Sequence, residues 1–196
     1  MDRKLLAWGL RRPCMARRHL PRLWLFTDSH RLPDPLPAAA RLPRGNAGIV
    51  FRHDNAPDRA ALGHALARIC KARRLILVVA GDARLAAALG AGMHLRGGRW
   101  PGPVRPRGIV TTSAHSGADL RRAYRDGAVL AFLSPAFRTG SHPGAPDLGP
   151  LRWGALAGRS PRKLRLGALG GIDGTRIRRL PPHRCYAAGA IGALAG

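Results

Sequence analysis

The chain has 196 residues, 45% of them hydrophobic and 5% aromatic, enough for one substantial core, and no apolar run approaches the roughly 18 residues of a membrane span. Three widely spaced cysteines, Cys14, Cys70 and Cys185, exclude a disulfide framework and a zinc knuckle and point to a reducing compartment. The net charge of +24 suggests polyanions, but Arg occurs in nearly every segment, Lys only at Lys4, Lys71 and Lys163, and all ten acidic residues are Asp; this pervasive bias, without interleaved aromatics, excludes a specific nucleic-acid surface.

In chain order, residues 1–22 are basic with a few apolar positions and lack the continuous apolar segment of a secretory signal. They read as a basic N-terminal arm ahead of one domain over 23–196, and the expected location is the cytoplasm. Eight short apolar runs follow as candidate strands: 23–27 (LWLFT), 48–51 (GIVF), 75–79 (LILVV), 92–95 (GMHL), 108–111 (GIVT), 129–133 (VLAFL), 166–169 (LGAL) and 185–188 (CYAA). Continuous rather than alternating apolarity is what a parallel sheet covered on both faces requires. Residues 57–73, 83–89, 116–126 and 173–180 read as helices, with Pro57 and Asp58 suited to the first turn of one, and Ser116 and Asp119 to the start of another.

Eight strands in βα alternation predict a compact (β/α)8 barrel with some short or missing helices, especially around 97–107; an open doubly wound sheet is the runner-up. Both architectures put chemistry at the carboxyl ends of the strands. Asp28, Arg52, His53, Asp54, Gly81, Asp82, Gly97, Gly98, Ser113, His115, the segment SPAFRTGSH (134–142), Gly170-Gly171 and Gly189 all stand there. In barrels the loops after strands seven and eight commonly cradle a phosphate, because free amide hydrogens converge there. Gly170-Gly171 with Gly189-Ala190 fits such a cradle, although a paired glycine also serves as a plain turn between strand and helix.

Five motifs occur in one order. LWLFTD (23–28) resembles the opening LYLVTD strand of the thiamine phosphate synthase and TenI family, GMHL (92–95) its GVHL, and TTSAH (111–115) its GVSAH or GCSVH. SPAFRTGSH (134–142) resembles its GPVFPTxTK, and ALGGI (168–172) its AIGGI. The resemblance implies a (β/α)8 barrel that couples hydroxymethylpyrimidine pyrophosphate to thiazole phosphate with release of pyrophosphate in thiamine biosynthesis, using Mg2+. It implies small-molecule substrates, without a membrane or a specific nucleic acid as partner, and leaves a homo-oligomer open.

By the same resemblance Arg52 matches the arginine of QxREK and holds pyrophosphate, Asp82 binds magnesium, and Ser113 contacts pyrophosphate. Thr139 and Ser141 match the hydroxyls of TxTK, and Gly170, Gly171 and Gly189 hold the thiazole phosphate. The pattern also breaks: His53 and Asp54 replace a glutamate and a lysine, Gly81 an asparagine, Arg99 falls near a second metal aspartate, and His142 replaces a lysine, which it can substitute as a partly protonated donor. Local readings compete at several positions. Asp82 suits a helix cap, Arg52 a solvated charge, His94 the core, His115 a backbone bond, and Cys185 packing. Two other functions fit the resemblance: a TenI-like thiazole tautomerase, for which His53 or His142 would have to act as the base because Pro135 is synthase-like, and a noncatalytic phosphate-ligand-binding protein.

Overall fold

Strands β1 (Leu23–Phe26), β2 (Ala47–Phe51), β3 (Ile76–Ala80), β4 (Gly92–Leu95), β5 (Val110–Ala114), β6 (Leu130–Leu133), β7 (Arg165–Ala168) and β8 (Cys185–Ala190) pair in parallel, each with the next, and β8 returns to β1. The result is the closed eight-stranded barrel the alternation predicts. The computed structural model describes residues 1–11, 20–97, 100–139 and 146–196. The fifth strand lies at Val110–Ala114 rather than 108–111, because it is polar on its inner face: Thr111 and Ser113 turn inward to His94, and a search for apolar runs stops short of them. The eighth continues to Ala190, so Gly189 is a strand residue and the turn follows it.

Alternation along the strands divides the apolar residues into two clusters. Trp24, Phe26, Val50, Val78, Ala80, Leu130, Phe132 and Ala187 fill the barrel, with Phe132 edge-on to Phe26 at 4.8 Å and to Trp24 at 5.7 Å between ring centres. Glycines face these rings. A Cβ on Gly48 would stand 2.5 Å from Trp24, on Gly167 2.7 Å from Phe132 and on Gly189 2.6 Å from Phe26. Three large rings thus fit because three facing positions have no side chain.

The outer cluster joins the other strand faces to helices α1 (Arg3–Leu10), α2 (Leu36–Arg41), α3 (Arg59–Arg73), α4 (Ala83–Ala88), α5 (Gly117–Arg125), α6 (Gly149–Gly158) and α7 (Gly192–Ala195). Three of the expected helices correspond to α3, α4 and α5, and Ser116 caps α5 by accepting from the Asp119 amide. The fourth, expected over 173–180, is only the 3-10 turn Arg176–Arg179. Among the described residues no helix lies between β4 and β5. Residues 3–10 of the basic arm form α1, which runs from the rim, where the Asp2 amide donates to Ala193 O, to the start of β1, where Gly9 abuts Leu23. Leu5 is fully buried and Trp8 nearly so, so α1 is part of the outer layer.

Candidate functional site

A cavity of about 1250 Å³ opens at the carboxyl end of the barrel and is lined by residues from nearly every strand end and the loops that follow. Its floor is His94, whose Nδ1 lies 2.9 Å from Thr111 Oγ1 and Nε2 3.1 Å from Ser113 Oγ. Burial, with Arg52 and Arg96 nearby, pushes the His94 imidazole down to about 3. It therefore stands neutral at the base of a cationic wall.

That wall begins at Arg52. Its Nε donates to Thr27 O at 3.1 Å, its Nη2 meets Asp28 Oδ2 at 3.2 Å, and the guanidinium lies over Phe26. Burial lowers its pKa despite the attraction of Asp28 and Asp54, and repulsion from Arg96 and Arg31 adds to the effect; a guanidinium stays charged all the same. Burial also acts to raise the Asp28 carboxyl, but amide bonds from Arg31 and His30 and the charge of Arg52 outweigh it and hold it below the usual range. Among the described residues five arginines and three aspartates line the cavity, and each aspartate is paired with an arginine.

The opposite wall is the β7 end. Gly170 and Gly171 have φ of +92° and +61°, and a Cβ would stand 2.9 Å from Pro135 Cα at the first and 2.4 Å from Arg138 O at the second. Bare backbone is needed here on both counts. The β6 loop is laced to these glycines through Ala136 N to Leu169 O and Phe137 N to Gly170 O, at 2.8 and 3.0 Å. Asp173 Oδ1 accepts from the Thr175 and Arg176 amides, and Asp2 Oδ2 accepts from Gly174 N at 2.7 Å. Among the described residues the amides of Gly171 and Ile172 donate to no protein acceptor. Gly189, Gly192 and Ala193 line the same cavity, so the turns after β7 and β8 face one space.

Of the residues expected to act, Arg52, Ser113, Thr139, Gly170, Gly171 and Gly189 line the cavity and Asp82 does not. Ser141, His142 and Arg99 fall outside the described residues. His53 is buried, its ring bonded to Thr27 Oγ1 and Pro33 O, which turns it away from the base role considered for it. His115 lines the cavity and bonds Ser134 O at 2.8 Å. Arg96, Arg138 and Arg176 also line it. Arg96 directly follows β4, so the rule that reads the residue after each strand would have selected it.

A magnesium ion finds a poor donor set. Asp82 Oδ1 accepts from Leu85 N at 2.9 Å, capping α4, and Oδ2 from Arg59 at 2.8 Å. Arg59 also reaches Asp54 at 3.4 Å and Ala80 O at 3.0 Å, while Arg96 takes the other oxygen of Asp54. Among the described residues no group of three metal-ligating side chains forms. Magnesium needs carboxylate oxygens that are not already given to guanidinium groups, and the described residues do not fit it.

The family described as thiamine monophosphate synthase matches residues 24–193. A protein of Aquifex aeolicus bearing the provisional name thiamine-phosphate synthase 2 is 29% identical over 182 residues, covering 88% of this chain and 94% of that one. Among solved structures, thiamine phosphate pyrophosphorylase from Pyrococcus furiosus superposes with a TM-score of 0.74 at 21% identity, over 89% of this chain and 88% of its own. FabK from Thermotoga maritima shares the barrel with a TM-score of 0.68 at 12% identity, over 89% of this chain and 58% of its own.

Proposed function

The chain belongs to the thiamine monophosphate synthase family, and from that premise we propose that it joins hydroxymethylpyrimidine pyrophosphate to thiazole phosphate and releases pyrophosphate. The observation that carries this reading is one cavity with two different anion-accepting walls, Arg52 and Arg96 with Ser113 on one and glycine amides beside Arg138 and Arg176 on the other. Two anionic substrates bound end to end need that arrangement, and a volume of about 1250 Å³ exceeds the usual room for one small ligand.

In the proposed reaction the bond from the pyrimidine methylene carbon to the pyrophosphate oxygen breaks, and its electron pair leaves with pyrophosphate. The thiazole nitrogen then gives its lone pair to that carbon, forming the new C–N bond. Arg52 and Ser113 act where negative charge grows on the leaving oxygens. Gly170 and Gly171, with the backbone from Gly189 to Ala193, fix the thiazole by its phosphate so that the nitrogen faces the carbon. Neutral His94 supports Ser113 from below by the bond of 3.1 Å.

The test combines purified protein with both substrates and follows thiamine phosphate and pyrophosphate by chromatography. Formation of the two in equal amounts is expected. Thiazole phosphate binding without any coupling product would reject the synthase assignment and leave a ligand-binding role.

A further inference from the structure

Asp54 and Gly81 both depart from the family's motifs, and in the fold both meet the same side chain, Arg96. Arg96 runs across Gly81, where a Cβ would stand 3.0 Å from Nε and 3.3 Å from Cδ, so any side chain at 81 would compete for its path. Its Nη2 donates to Asp54 Oδ2, so the aspartate that a pyrophosphate would otherwise repel is neutralised by Arg96 on one oxygen and by Arg59 on the other. Arg96, Arg52 and His94 line the same cavity, so two guanidinium groups share the space above its floor. Asp82, the carboxylate that would hold a divalent ion, has given both oxygens to Arg59 and the Leu85 amide.

Resting on the coupling reaction proposed above, we infer that Arg96 with Arg52 neutralises the pyrophosphate group in the place of a divalent cation, with Asp54 and Gly81 setting Arg96 in position. A guanidinium offers paired N–H donors matched to two phosphate oxygens and stays charged at every working pH. Arg52 and Arg96 are each ion-paired, with Asp28 and Asp54, yet a guanidinium has five N–H donors and one carboxylate does not use them all, so a diphosphate in the cavity gains hydrogen bonds from both. The changes at 54 and 81 are then parts of one substitution, an arginine site exchanged for a metal site.

Calorimetric titration with inorganic pyrophosphate, in EDTA and again in excess magnesium chloride, tests this on the full chain. Dissociation constants within about threefold of each other in the two buffers are expected, and Arg96→Ala should weaken binding in EDTA at least tenfold while Arg96→Lys recovers part of it. Arg96 is half exposed, at 52% of its side chain, and a circular dichroism spectrum matching the parent chain checks that each variant is folded; Arg96→Lys carries the comparison if Arg96→Ala is not. Binding that requires magnesium, or that ignores both substitutions, overturns the inference while the coupling assay still decides the reaction. Absence of pyrophosphate binding in both buffers overturns the inference and the synthase reading together.

Discussion

Gly171 and Asp82 show how differently two single residues can be legible. Gly171 announces itself in the sequence because a Gly-Gly after an apolar run has few uses, and the fold gives it one: φ of +61° with a would-be Cβ 2.4 Å from Arg138 O. Gly171→Ala should cost about 2 kcal/mol or more of stability by urea denaturation and weaken thiazole phosphate at least tenfold by calorimetry. Gly158→Ala, with no atom within 4 Å of its Cβ and outside the cavity lining, is the tolerated control. Thiazole phosphate binding unchanged in Gly171→Ala would reject the cradle. Asp82 is legible as a cap, whereas its partner Arg59 sits 23 residues earlier and no local pattern connects them. Asp82→Asn keeps an N-capping oxygen and should lower stability by under about 1 kcal/mol, while Asp82→Ala removes the cap and should cost about 1–2 kcal/mol. If Asp82→Asn abolished turnover with stability intact, the carboxylate would have a chemical role that the pairing with Arg59 does not explain.

At the scale of elements, strands were readable and several helices were not. A barrel strand is covered on both faces, so LILVV or VLAFL is apolar throughout and stands out. Helix α6, in contrast, is GPLRWGALAG, with an interior glycine, Gly154, that costs about 1 kcal/mol relative to Ala. It forms because Trp153 is fully buried and donates to Leu133 O at 3.2 Å, a packing partner outside the helix. The N-terminal α1 is the clearest case of an element whose role lies elsewhere in the chain. Asp2 caps it through the amides of Lys4 and Leu5 and also holds Gly174 N, and a Cβ on Gly174 would lie 2.3 Å from Lys4 Cβ. The helix start thus braces the loop after β7 from behind. Asp2→Ala should therefore raise the KM for thiazole phosphate severalfold and leave kcat nearly unchanged, because in the proposed reaction this loop holds the phosphate without reacting. Steady-state kinetics with each substrate varied in turn checks this, and a change confined to the pyrimidine substrate would contradict it.

For the whole molecule, titratable groups shifted from their ordinary values limit stability from both sides of neutrality. His94 is held near 3, below its unfolded value of about 6.5. Unfolded chains therefore take up its proton as pH falls below about 6.5 while folded chains do not, and stability drops progressively toward pH 3. Asp2, Asp28 and Asp119 have carboxyls lowered by amide bonds and neighbouring cations that outweigh burial. Their contribution is present above the unfolded value of about 3.9 and is lost as pH falls through the folded values, so acid acts twice. On the alkaline side burial raises Cys70 and Cys185 to about 12, so unfolded thiols ionise first and stability declines from about pH 9 upward. The urea midpoint should accordingly form a plateau between about pH 6.5 and 9. His94→Asn lowers the plateau by disturbing the bonds to Thr111 and Ser113, yet it should flatten the slope between pH 6.5 and 4.5, because the group whose protonation separates the two states is gone. An unchanged slope in that variant would show that the imidazole at the cavity floor is not held neutral by burial and its arginine neighbours.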